Sequence, residues 1–281
     1  MGTAVITEPR NEGFGVAQYA RCFSGIVWRE ALRFWHQRER FVSALVRPLV
    51  WLFIFAAGFR SVLGVSIIPP YDTYVLYDVY ITPGLIAMIE LFSGMQSSLS
   101  MVYDREMGNM RSLLVSPFPR WFLLTSKLVA GTAVSVVQVY AFLVVAYFWE
   151  IEPPSLWGYL TVLPALILAG LMLGALGMLL SSLIKQLENF AGVMNFVIFP
   201  MFFASSALYP LWRVREGSPW LAFFCELNPF THAVELIRFA FYEQINVLAL
   251  GVVLGAAAVF LAAAIAAYDP SRGVLKGREG S

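Results

Sequence analysis

One carboxylate and three hydroxyls share a helical stripe in an apolar part of the chain: Glu90, Ser93, Ser97 and Ser100 fall at i, i+3, i+7 and i+10. A carboxyl group at membrane depth could hold a cation, carry a proton, or tie helices together by hydrogen bonds. It is a functional candidate by default, and the stripe is expected to avoid lipid. Farther along, Gly131, Ser135 and Gln138 make a second small and polar face. Between the two lies YDREMGNMRSLLVSPFPRWFLLTSK, residues 103–127, polar where its neighbours are apolar. Here Met107, Met110 and Leu114 occupy one helical face, and Asp104, Arg105, Asn109 and Arg111 present polar groups elsewhere. Pro117 and Pro119 then end the helix. These residues suit a short helix gripped by a partner in the aqueous phase, and composition alone suits a plain connecting loop equally well.

The elements that must position these groups are membrane helices. With 59% hydrophobic and only 13% charged residues in 281, and a mean hydropathy of +0.71, the chain is far more apolar than a soluble domain. Six windows approach the roughly 20 apolar residues that a hydrocarbon core of about 30 Å requires. They lie near 48–63, 81–101, 124–148, 156–183, 190–208 and 247–268. Pro48 is expected to open the first span, at a position where a missing N–H costs nothing. Tyr71, Tyr74, Tyr77 and Tyr80, in and around the loop before the second span, are expected to form an interface belt. In the fourth, Gly170, Gly174, Gly177 and Ser181 form a small-residue seam for close helix contact.

Charge placement orients the spans. With both termini in the cytoplasm, fifteen of the nineteen basic residues fall inside, and only Arg60, Arg213, Arg215 and Arg238 fall outside. Residues 1–24 lack the apolar core of a signal peptide, so they are expected to remain as a cytoplasmic segment. A single membrane domain, 25–268, follows it, and a basic tail, 269–281, ends the chain. Within that domain, residues 25–41 carry too much charge to span. Trp28, Leu32 and Trp35 share one face and Arg29, Arg33, His36 and Arg40 an adjacent one, which predicts an interfacial helix with tryptophans at headgroup depth and arginines toward lipid phosphates. Residues 209–242, with Pro210, Trp212, Pro219, Trp220 and Pro229, are too polar to span and too apolar for a free loop. Short helices dipping into the outer leaflet suit them.

Several chemistries are excluded by what the residues lack. No GxxxxGK[ST] phosphate loop, HExxH motif or nucleophile elbow occurs. The two histidines, His36 and His232, fall on opposite sides of the membrane, as do Cys22 and Cys225, so neither a metal site nor a disulfide is expected. Basic residues are dispersed among loops, which gives no nucleic-acid surface. A lipid-modifying enzyme using Glu90 as acid or base would need a second catalytic group. An ion-coupled carrier would usually show more than one intramembrane carboxylate. Glu90 is the one carboxylate placed well inside a span.

The run DREMGNMRSLLVSPFPRWFLLTSKL resembles the E-x-G-(T or N)-x-x-x-L-L-x-(S or T)-P pattern of ABC-2 permeases, the membrane subunits of one class of ATP-binding-cassette exporter. SSLIKQLENFAGVMNFVIFPMFFASSALYPL and LNPFTHAVELIRFAFY agree with the same family, nearest its nodulation-factor and drug-export branch. The resemblance implies an all-α protein of the bacterial cytoplasmic membrane with six transmembrane helices, an N-terminal interfacial helix, a cytoplasmic coupling helix and outer re-entrant helices. It also implies two permease copies working with two copies of a separate ATPase that holds the ATP and Mg, this chain holding no cofactor. By the same likeness the coupling helix comprises Asp104, Arg105, Glu106, Gly108, Asn109, Met110, Leu113, Leu114 and Pro117. Asn109 stands where threonine is common. Pro210, Trp212, Asn228, Pro229 and Phe230 would then belong to the outer helices that close the exit path. The expected cargo is an amphiphile or lipid-linked molecule, moved outward along a path lined by Glu90, Ser93, Ser97, Ser100 and Gln138.

Overall fold

A computed structural model describes residues 15–36, 38–59, 64–65, 69–72, 75–106, 118–149, 151, 155–184 and 187–267. Helices dominate: α1 (Val16–His36), α2 (Arg38–Phe59), α3 (Tyr77–Glu106), α4 (Arg120–Phe148), α5 (Gly158–Leu183) and α6 (Leu187–Phe203). Three short helices follow, α7 (Leu211–Gly217), α8 (Pro219–Leu227) and α9 (Pro229–Phe241), before α10 (Val247–Ala267). Between α2 and α3, β1 (Gly64–Val65) and β2 (Val75–Leu76) make a two-residue antiparallel pairing.

Among the described residues, four helices are long and apolar enough to cross a membrane: α3, α4, α5 and α10. The apolar stretches of α2 (Leu45–Ile54) and α6 (Gly192–Phe203) are shorter. The central helix is α3, with every residue from 81 to 93 buried. At 30 residues its length of about 45 Å exceeds a hydrocarbon core of about 30 Å, so its ends stand in polar surroundings. It packs against α2, α4, α5, α6 and α9. In α10, by contrast, only Ala249, Val253 and Ala264 are buried, and the remaining Ala, Val and Leu surface is what hydrocarbon solvates at no cost.

Contact between α3 and α5 rests on glycine. A Cβ added to Gly94 would lie 3.0 Å from the Gly174 backbone, and one on Gly177 would lie 2.9 Å from the Gly94 carbonyl oxygen. Of the anticipated seam, Gly174 and Gly177 therefore bring two backbones together, as small residues do where dispersion is the main attraction between helices, and Gly170 faces side chains.

Several local expectations are corrected. The N-terminal helix starts at Val16, nine residues before Gly25, because Tyr19 gains an edge-to-face contact with Phe118 and Phe122 at 5.2 and 4.9 Å. Pro48 lies inside α2 and does not open it. The charged residues before it remain helical, and Pro48 removes one internal N–H bond. Tyr71, Tyr77 and Tyr80 are buried, not arrayed at an interface. Two of these phenols serve the segment after α6: Tyr77 donates to the Leu208 carbonyl at 2.7 Å and Tyr80 to that of Ser206 at 3.2 Å. Tyr103 is part of α3, so the polar stretch opens as a continuation of the membrane helix and not as a separate one.

Candidate transport cleft and outer cap

On α3, Glu90 is fully buried. Ser135 of α4 donates to its Oε2 at 2.5 Å, and the absent side chain of Gly170 on α5 makes the room, since a Cβ there would meet the same oxygen at 2.6 Å. Carboxyl, hydroxyl and glycine thus come from three helices. The other carboxyl oxygen, Oε1, has no hydrogen-bond partner, and neither do the buried Thr132 Oγ1 and Gln138 Oε1. Buried polar atoms are nearly always paired, so three unpaired ones on the facing helices α3 and α4 stand out.

Toward the α1 side a cleft of about 540 Å³ opens between α1, α3 and α4. Ser93, Ser97, Ser100 and Gln138, expected to share a lining, do form its walls, joined by Gln96, Gly131, Phe34 and Val134. A smaller, tight cavity lies inward among α3, α4 and α5 and includes Thr132, Ser135 and Gly170. Both are bounded by Ser97 and Gly131. A side chain at Gly131 would approach Ser97 Oγ to 2.9 Å, so glycine keeps that neck open.

Glu30 and Arg33 reach the cleft from α1. Glu30, which the sequence reading passed over, is buried and takes Arg29 at 3.2 Å and Arg33 at 3.4 Å. Arg33 is therefore turned toward the cleft, while Trp28 and Trp35 of the same helix are 66% and 69% exposed and suit headgroup depth. Acidic and basic residues three apart signal such a pair, though not that the pair is covered.

On the opposite side, α7, α8 and α9 form a cap. Pro210 precedes α7 and is buried, and Trp212 is half-buried with its indole N–H unpartnered. Asn228 does more than precede a proline. Its Oδ1 accepts from the Phe230 N–H at 3.0 Å and its Nδ2 donates to the Met201 and Ala204 carbonyls, both at 2.7 Å. With Pro229 at the first helical turn, this one side chain starts α9 and satisfies the open end of α6. Phe230, fully buried, meets the Phe202 ring edge-on at 6.2 Å.

Arg238 escaped the sequence reading except as a basic residue on the sparsely charged side. It is buried, paired to Glu235 one turn earlier, and donates to the Ser206 carbonyl at 2.9 Å. Its guanidinium lies 4.2 Å from the Tyr80 ring centroid. Beside it, burial holds the Tyr71 and Tyr242 phenols above their ordinary range, which keeps them neutral.

Of the coupling residues, Asp104, Arg105 and Glu106 form the last helical turn of α3. Gly108, Asn109, Met110, Leu113, Leu114 and Pro117 lie outside the described residues.

Residues 21–242 match the family model for the ABC-2 type transporter. The chain belongs to that family. This ABC-2 permease is also similar to a putative transport permease, ycf38, of Porphyra purpurea, 26% identical over 222 residues that cover 77% of this chain and 72% of the relative. A probable multidrug ABC transporter permease, YbhR, of Escherichia coli K12 is 30% identical over 60% of this chain and 45% of its own. Nodulation protein J of Rhizobium leguminosarum bv. viciae is 24% identical, covering 75% of this chain and 79% of its own. The protein is therefore a membrane transport permease.

Proposed function

We propose that the protein is the membrane subunit of an ATP-driven exporter that moves an amphiphilic or lipid-like molecule outward through a cytoplasmic membrane of bacterial type. The observation that carries this reading is the placement of a polar cleft, with a buried carboxyl group beyond its neck, inside a bundle whose family match runs from residue 21 to residue 242. No phosphate loop occurs in these 281 residues, so ATP and its Mg are bound by a partner subunit. Two permease copies and two ATPase copies complete the assembly. The multidrug name of one relative supports a small-molecule cargo.

In this reading α2 and α6 join the four long helices as shorter spans, which gives six spans with both termini cytoplasmic. Alpha-helical α1 lies along the inner surface, and α7, α8 and α9 cap the exit. The 103–117 stretch touches the ATPase, and because α3 runs unbroken through Glu106, a push there moves the Glu90 stripe as a rigid body. Ser112→Cys, in a chain whose Cys22 and Cys225 are replaced by serine, is expected to react with an impermeant maleimide only from the cytoplasmic side, and Ser218→Cys only from outside. The reverse pattern breaks the topology. Glu106→Arg is expected to lower the yield of ATPase that copurifies in mild detergent at least tenfold. Full retention removes Glu106 from the contact.

A further inference from the structure

The cleft and the inner cavity share Ser97 and Gly131, so a ligand tip that passes this neck arrives among Thr132, Ser135 and Gly170, the groups that surround Glu90. What it meets there is a pair of unpaired oxygens. Neither Glu90 Oε1 nor the Thr132 hydroxyl has a hydrogen-bond partner, and Gln138 Oε1, also unpaired, lies on the cleft side of the neck. The single Ser135 proton is directed at Glu90 Oε2 or the Thr132 carbonyl, at 2.5 and 2.9 Å. None of the residues lining the inner cavity is basic. A buried carboxyl group without a counter-charge stays neutral until a cation comes beside it, and a cation that also carries several N–H donors satisfies its oxygens and the hydroxyl next to it at once.

The geometry points to a binding site for a protonated primary amine borne on an apolar tail. The ammonium sits against Glu90 and Thr132, and the tail leaves through the cleft past Gln138, Phe34 and Val134. Each unpaired acceptor then receives one N–H, which a quaternary ammonium could not supply and an alcohol could supply only once. The charge of Arg33, in the wall of the same cleft, is partly offset by the Glu30 carboxylate at 3.4 Å, which it shares with Arg29. Gly131 sets the width: valine there would close the neck against Ser97 and leave Glu90 in place.

This inference names the substrate class of the proposed path and rests on that reading. Binding to the permease alone separates the two, since it needs neither ATP nor the partner. The full chain is placed in phosphatidylcholine nanodiscs, and binding of n-decylammonium, n-decyltrimethylammonium and n-decanol is measured against empty nanodiscs. Decylammonium is expected to bind at least tenfold more tightly than either analogue. Glu90→Gln is expected to erase that preference, and Gly131→Val to weaken decylammonium binding at least tenfold. Equal binding of the three probes, no binding above empty nanodiscs, or a preference that survives in both variants overturns the assignment. Where Glu90→Gln does not elute as a folded species, the three probes on the unaltered chain and on Gly131→Val decide. Failure here with ATPase copurification intact removes the amine and leaves the exporter.

Discussion

Arg238→Met is expected to lower the unfolding temperature of the purified permease by about 10 °C, the shift that a loss of about 3 kcal/mol produces in a chain of this size. The guanidinium is buried, pairs with Glu235 within α9, reaches the Ser206 carbonyl and lies over the Tyr80 ring. It thereby joins the cap to α3 and to the turn after α6. Methionine matches the length and removes the charge, leaving Glu235 largely covered and unpaired. Breaking a buried pair costs about 3–5 kcal/mol, and the lower end applies because the Glu235 side chain keeps 21% of its exposure. Replacing both partners, Arg238→Met with Glu235→Leu, should recover most of the loss, since an apolar pair leaves no stranded charge. A single variant that melts like the parent would show that the pair does not hold the cap.

Gly94→Leu is expected to be at least as damaging, with little folded protein recovered. Its Cβ alone would lie 3.0 Å from the α5 backbone at Gly174, and a backbone cannot swing aside as a side chain can. The helices must separate along the seam that also seats Glu90 against Gly170, with an overpacking cost of about 3 kcal/mol or more. Gly251→Leu is the matched control. Nothing lies within 4 Å of a Cβ at that position on α10, so a lipid-facing leucine there should leave both yield and melting temperature within error. Comparable losses in the two variants would mean that leucine is tolerated at neither glycine for reasons unrelated to the seam.

Much of this was legible in the sequence because bilayer constraints are severe. The need for about 20 apolar residues per span identifies α3, α4, α5 and α10 directly. A period of 3.6 puts Ser93, Ser97 and Ser100 on the wall they share with Gln138. What the sequence could not show is pairing between segments far apart. Ser135 and Gly170 meet Glu90 from other helices, and Asn228 reaches back to Met201 and Ala204. The tyrosines misled for the same reason: an amphipathic ring suits an interface belt, but the carbonyls of the segment after α6 offer Tyr77 and Tyr80 buried acceptors. Arg238 was counted by its charge as if it faced water, although Glu235, one turn earlier, had already matched it.

The most direct test of the central claim is a photocrosslink in living cells. A photoreactive residue at position 112 should capture a cassette ATPase, that adduct should disappear with Glu106→Arg, and the same residue at position 218 should capture none. Absence of an ATPase adduct at 112, or its appearance at 218, would contradict an ATP-driven permease gripped at the 103–117 stretch.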